Sequence, residues 1–188
     1  MRLLFTLLLC TVLVLSTLAV SLTAQQPMTD AERATYREQL ARRRAQHDEW
    51  LGTADFLWDG EMAREKAGDC LGARSTVDLD ECLGRELDIT AANLKGYAES
   101  FRAIFRLEFP EQRAPDDFSY VRTAAEFLKD FDDVEAKWDA YKTAMCHSAF
   151  ELLPGGTAAS SIAAYCELKV MRNHMRELGG ILGQFFHM

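Results

Sequence analysis

This sequence predicts an all-α fold, an antiparallel helical bundle stapled by two disulfides. Three observations carry that expectation. Long segments repeat apolar residues at steps of three and four, the period of a helix with one buried face. Strand-like alternation is missing, and four prolines in 188 residues leave few breaks. Once the N-terminal leader is set aside, four cysteines remain, Cys70, Cys82, Cys146 and Cys166, an even number that suits an oxidising compartment.

The leader comes first. MRLLFTLLLCTVLVLSTLAVSLTAQQ opens on Arg2, runs apolar from Leu3 to Val20 and ends in small and polar residues, the layout of a secretory signal peptide. Cleavage after Ala24 or Ser21 fits the small residues there. An uncleaved anchor is the alternative that the length of the run allows. Cys10 lies inside the run behind three leucines, which does not suit lipid modification. Removing residues 1–24 leaves 164 residues, enough for one domain with a real core. It also takes one of 21 Lys+Arg and none of 29 Asp+Glu, so the mature chain carries a net charge of −9. Such acidity speaks against nucleic acid and for a basic partner, or simply for solubility.

Residues 25–69 read as a peripheral, charged helical segment. Thr29 with Glu32 forms a capping box, and a helix follows to about Leu51, with a short second helix over Phe56–Lys66. The next helix has the clearest stripe: Leu83, Leu87, Thr90, Leu94, Tyr97, Phe101 and Ile104, widened by Phe105 and ended by Pro110. A polar loop, LEFPEQRAPDDF, leads to a helix from about Tyr120 to Leu153. Its predicted core stripe is Val121, Ala124, Leu128, Phe131, Trp138, Tyr141 and Met145, with Trp138 packed against the previous helix near Tyr97 or Phe101. Pro154, Gly155 and Gly156 stop it. The last helix, about Ala158–Leu178, has two apolar stripes: Ala164, Leu168, Met171, Met175 and Leu178, and on nearly the opposite side Ile162, Cys166 and Val170. A helix apolar on two sides is usually sandwiched between neighbours.

The cysteines admit three pairings. Cys146 and Cys166 stand symmetrically about Gly156, so an antiparallel hairpin would bring them level. Cys70 and Cys82 would tie the preceding connection to the first turn of its helix. Zinc is the rival use, but there is no C-x-x-C pair and the four histidines are scattered.

Catalytic patterns are lacking. The acids of FLKDFDDVEAKWD read as a solvated face, without the apolar pocket that a glycosidase acid needs. No serine-nucleophile motif occurs, and Ser160-Ser161 reads as ordinary filling. His147 adjoins Cys146, but neighbours on a helix point about 100° apart. Gly155-Gly156 lacks the strand that a phosphate loop requires. Trp138 and Tyr141 read as core. Asn93 is either a satisfied polar residue at the bundle edge or part of a polar site with Lys142 and His174. The chain is therefore expected to be a binding protein, not an enzyme, with no cofactor and no metal.

Five features recur together: CLGARSTVDLDEC, the Thr90–Tyr97 segment, WDAYKTAMC, Gly155-Gly156-Thr157, and Cys166 with its helix. On these, residues 70–183 resemble the lysozyme-inhibitor LprI-like N-terminal domain family, small helical proteins of bacterial envelopes. Thr90, Asn93-Leu94, Lys142, Thr143 and His174 depart from the family's usual residues, while the aromatic and cysteine framework is kept. The resemblance implies a periplasmic or secreted lysozyme inhibitor that occludes the glycan cleft. Lysozymes are commonly basic, so the acids Asp116, Asp117, Asp130, Asp132, Asp133 and Glu135 are the expected partner-binding residues; residues 111–139 hold nine acids against four bases. The other reading is an envelope scaffold or stress-related interaction protein without lysozyme activity.

Overall fold

The computed structural model describes residues 28–111, 122–154 and 156–186. The chain divides into two compact units, Met1–Arg42 and Arg43–Met188. The expected leader and its cleavage site, Tyr120, Val121, and the loop acids Asp116 and Asp117 lie outside the described residues. The described residues form four helices: α1 (Asp30–Ala67), α2 (Thr76–Glu108), α3 (Ala124–Glu151) and α4 (Ala159–Phe186). They pack on one another as an all-α bundle, with α4 against both α2 and α3. None of the described helices is long and apolar enough to cross a membrane.

In the first unit, the start of α1 is capped as its sequence suggests. The Glu32 amide donates to the Thr29 hydroxyl at 3.2 Å, and the Thr29 amide donates to the Glu32 carboxylate at 2.7 Å. These bonds hold the Glu32 carboxyl below its usual range.

The expected break after Leu51 does not occur, because α1 runs unbroken through Gly52. One helical glycine costs only about 1 kcal/mol relative to alanine, less than a buried face returns. That face is found in the second unit: Ala54 and Glu61 are buried, and Trp58 packs against the core. The peripheral character expected of residues 25–69 therefore does not extend to this stretch. Gly68, at φ +86°, closes the helix by donating to the Arg64 and Glu65 carbonyls.

Ser75 caps α2 by accepting from the Asp78 amide. The expected α2 stripe is the core: Leu83, Thr90, Leu94, Tyr97, Phe101, Ile104 and Phe105 are all buried. Thr123 and Glu126 form a capping box at the start of α3. Phe109, Phe127, Phe105 and Phe131 pack ring against ring at that end, with centroids 4.2–5.6 Å apart along the series. In α4, Leu168, Met171, Met175 and Leu178 are buried, and Ile162, Cys166 and Val170 are half-buried, which agrees with a sandwiched helix. Both expected disulfides are present, Cys70–Cys82 and Cys146–Cys166, with Cα atoms 5.8 and 5.4 Å apart.

Two expectations for α3 fail. Tyr141 and Met145 are not core, being 55% and 49% exposed; Cys146 is buried instead. Trp138 is only half-buried, and its principal ring partner is His174 on α4, stacked at 4.1 Å and 11°, rather than Tyr97 or Phe101.

Candidate functional site

Three groups of polar residues could carry function. The most buried joins α1, α2 and α4. Glu61, fully buried, accepts from Arg172 Nε at 2.8 Å, Thr90 Oγ1 at 2.8 Å and Asn93 Nδ2 at 2.7 Å. Arg172 also donates through both terminal nitrogens to Asp69, one bond measuring 2.8 Å. Arg64 lies 3.4 Å from Glu61 and pairs with Glu86. Burial pushes the Glu61 carboxyl up, but the bonds from Arg172, Asn93 and Thr90 and the Arg64 charge outweigh it, so the net shift is downward. The carboxylate is saturated by donors and closed to water, and nothing in it is left to meet a ligand. Asn93 is thus a satisfied polar residue bound to Glu61, not a partner of Lys142 and His174.

The second group lies between α3 and α4. Glu135 Oε1 is 2.6 Å from His174 Nε2, the imidazole stacks on Trp138, and Lys142 Nζ sits 5.3 Å from the Trp138 centroid while pairing with Asp139. Glu135 is therefore turned inward, unlike the solvated acid expected there. The neighbouring groove holds about 380 Å³. His174 Nδ1 has no hydrogen-bond partner among the described residues, with Glu177 3.7 Å away. These side chains bind one another, and the assembly reads as packing.

The third group is the outer surface of α3. Asp130, Asp132 and Asp133 point to solvent while Phe131 is buried between them. Each is met by a cation of the same chain: Arg122 at 2.7 Å, Arg102 at 2.8 Å and Lys137 at 2.7 Å. Exposed pairs of this kind stay hydrated and remain available for long-range attraction. Beside them runs an exposed apolar line, two of whose members, Tyr141 and Met145, the sequence predicts in the core. Val134, Tyr141, Met145 and Leu152 are 53%, 55%, 49% and 76% exposed. At 100° per residue their steps of 7, 4 and 7 fall within about 40° of arc, and the line is about 27 Å long. Asp130 and Asp133 flank one side of it. Three of the four apolar side chains share one exposed face of α3 and Leu152 caps its C-terminal end, so they form a continuous apolar strip rather than scattered surface residues.

Ser160 and Ser161 do more than fill the start of α4. Both donate to the Asp80 carboxylate, which ties α4 to α2 and holds the Asp80 carboxyl low.

No protein-family model matches the chain, and no curated protein or solved structure matches it either.

Proposed function

We propose that this chain is an exported binding protein, not an enzyme, that docks a basic protein on the outer face of α3. Lysozyme is the partner to which the LprI-like residue pattern points. One observation carries the reading: an exposed apolar line, Val134–Tyr141–Met145–Leu152, runs beside exposed acids on a chain of net charge −8. The apolar line would supply contact area and the acids would speed encounter with a positively charged surface. Two disulfides agree with an oxidising compartment. They also hold the helix ends, so little order need be gained on binding. Inhibition would follow from the bundle covering the glycan cleft.

The test is wall hydrolysis by a basic lysozyme in the presence of the oxidised protein, with binding followed separately. Wild type should inhibit, and Tyr141→Ala with Met145→Ala should weaken binding at least tenfold while the helical signal is unchanged, because both side chains are exposed. No binding by wild type would remove lysozyme as partner and favour the scaffold reading. Binding that survives the double substitution would remove the α3 face.

A further inference from the structure

A second concave surface, away from the α3 face, lies where α1, α2 and α4 meet. It is a cleft of about 510 Å³, within the roughly 300–1,000 Å³ of small-molecule sites. Its walls include the rings of Trp58, Tyr97 and Phe101, and its floor includes Gly179. Trp58 and Tyr97 have centroids 6.1 Å apart and tilted by 30°; Phe101 meets Tyr97 edge-on at 5.0 Å.

The floor is built to receive the Tyr97 hydroxyl. A Cβ on Gly179 would lie 2.7 Å from that oxygen, so only glycine lets the ring reach this depth. Tyr97 is 5% exposed as a whole, and its hydroxyl, which no described residue hydrogen-bonds, is not closed off from solvent at the cleft.

The charges around the cleft have one sign left over. Arg176 lines it, but its guanidinium is engaged by Glu65 and by Asn173 at 2.7 Å. Asp55, also lining it, has no ion-pair partner among the described residues. Burial, and then the Asp55 charge, push the Tyr97 hydroxyl up to about 12. Burial resists charge of either sign, whereas the Asp55 charge resists an anion and favours a cation. Electron-rich ring faces favour the same sign.

We propose that this cleft binds a small organic ammonium with an apolar body, the head held between Asp55 and Tyr97 and the body against Trp58. A neutral molecule of the same shape would gain the apolar contact alone.

The probes are 2-phenylethylammonium and its neutral counterpart 2-phenylethanol, titrated into the oxidised full chain by NMR and calorimetry. The cation should bind about tenfold more tightly than the alcohol, the difference that one cation–π contact and one charge contact provide. Its resonance shifts should include the Trp58 indole. Asp55→Asn should cut the difference to about threefold, the part left to the cation–π contact, without changing thermal stability, since Asp55 is exposed and has no ion-pair partner among the described residues. Asp59→Asn, an exposed acid outside the cleft, should leave the difference intact. Equal affinity for both probes, no binding of either, shifts confined to other residues, or an unchanged preference in Asp55→Asn would each overturn the proposal. None of these outcomes bears on the α3 face, whose partner is tested separately.

Discussion

Replacing Arg172 by methionine should destabilise the protein far more than the loss of one surface charge would. Its side chain is 3% exposed and that of Glu61 is fully buried. Methionine keeps most of the length and none of the donors. Glu61 would retain Thr90 and Asn93 but lose its closest cation, leaving a buried carboxylate short of charge. Breaking a buried pair from one side costs about 3–5 kcal/mol. At about 2–4 °C per kcal/mol for a domain of this size, the melting temperature should fall by roughly 6–20 °C at pH 7. The pH dependence identifies the cause. In wild type the Glu61 carboxyl is held below its ordinary value, so its contribution is present above the unfolded value and is lost as pH falls through the folded one. Without Arg172, burial dominates and the carboxyl should rise above the unfolded value. The charged form then destabilises the fold, and the deficit should shrink as pH falls through that raised value. Glu61→Gln added to Arg172→Met should recover part of the stability lost in Arg172→Met alone, because the fully buried carboxylate is then gone and only Asp69, which reaches solvent, is left without Arg172. Urea unfolding at pH 7 and pH 4.5 on the three variants measures all of this. A cost below about 1 kcal/mol, or a deficit that does not shrink with acid, would refute the description of the cluster as a charge-balanced structural site.

Gly179→Ala should destabilise by about 1–2 kcal/mol by pushing on the Tyr97 hydroxyl, whereas Gly179→Ala with Tyr97→Phe should recover most of that in urea unfolding, since the overlapping oxygen is gone. Removing the Cys146–Cys166 bond, which spans 20 residues, should cost about 3 kcal/mol by the loop-entropy estimate, and non-reducing peptide mapping should find no Cys70–Cys146 link. Trp138→Ala should cost about 2 kcal/mol, below the roughly 3–5 kcal/mol of a fully buried aromatic, because the ring is half-exposed; a loss above 4 kcal/mol in denaturant unfolding would show that it is buried in solution. A fragment that begins at Cys70 should fail to show cooperative unfolding by circular dichroism, since it lacks Glu61, Trp58 and Ala54.

The bundle was legible where one helix alone declares its buried face. In α2 an unbroken run of three- and four-residue steps marks the core, and even Thr90, the polar member of that run, is buried. The cysteine spacing about Gly156 likewise needs only a hairpin to be read. The α3 core line was not legible, because two of its positions are charged. The buried side runs through Ala124, Phe131, Glu135, Trp138, Lys142 and Cys146, where His174 on α4 meets Glu135, and Trp138 and Asp139 meet Lys142. A pattern search steps around such residues and settles on the next apolar line, Tyr141 and Met145, which faces water. In α1 the same limit acts over a longer distance. Glu61 is buried because Arg172, 111 residues later, folds back onto it, and no local pattern around Glu61 contains that partner.

The internal pairing of charges also decides where binding can occur. Arg172 and Glu61 satisfy each other in the interior, Glu135 is taken by His174, and Arg176 is taken by Glu65 and Asn173. What remains for a partner is surface that the fold leaves unused: the apolar line of α3 with Asp130 and Asp133 beside it, and the aromatic cleft with Asp55 unpaired. Both carry exposed acids next to apolar surface, which is why both proposals name a positively charged partner with an apolar body. The first is long, about 27 Å, and suits a protein. The second is small and concave and suits a molecule. Solubility alone would account for the acidity of the chain, but solubility does not require apolar side chains in register beside that charge, nor a glycine that makes room for the Tyr97 hydroxyl at the cleft.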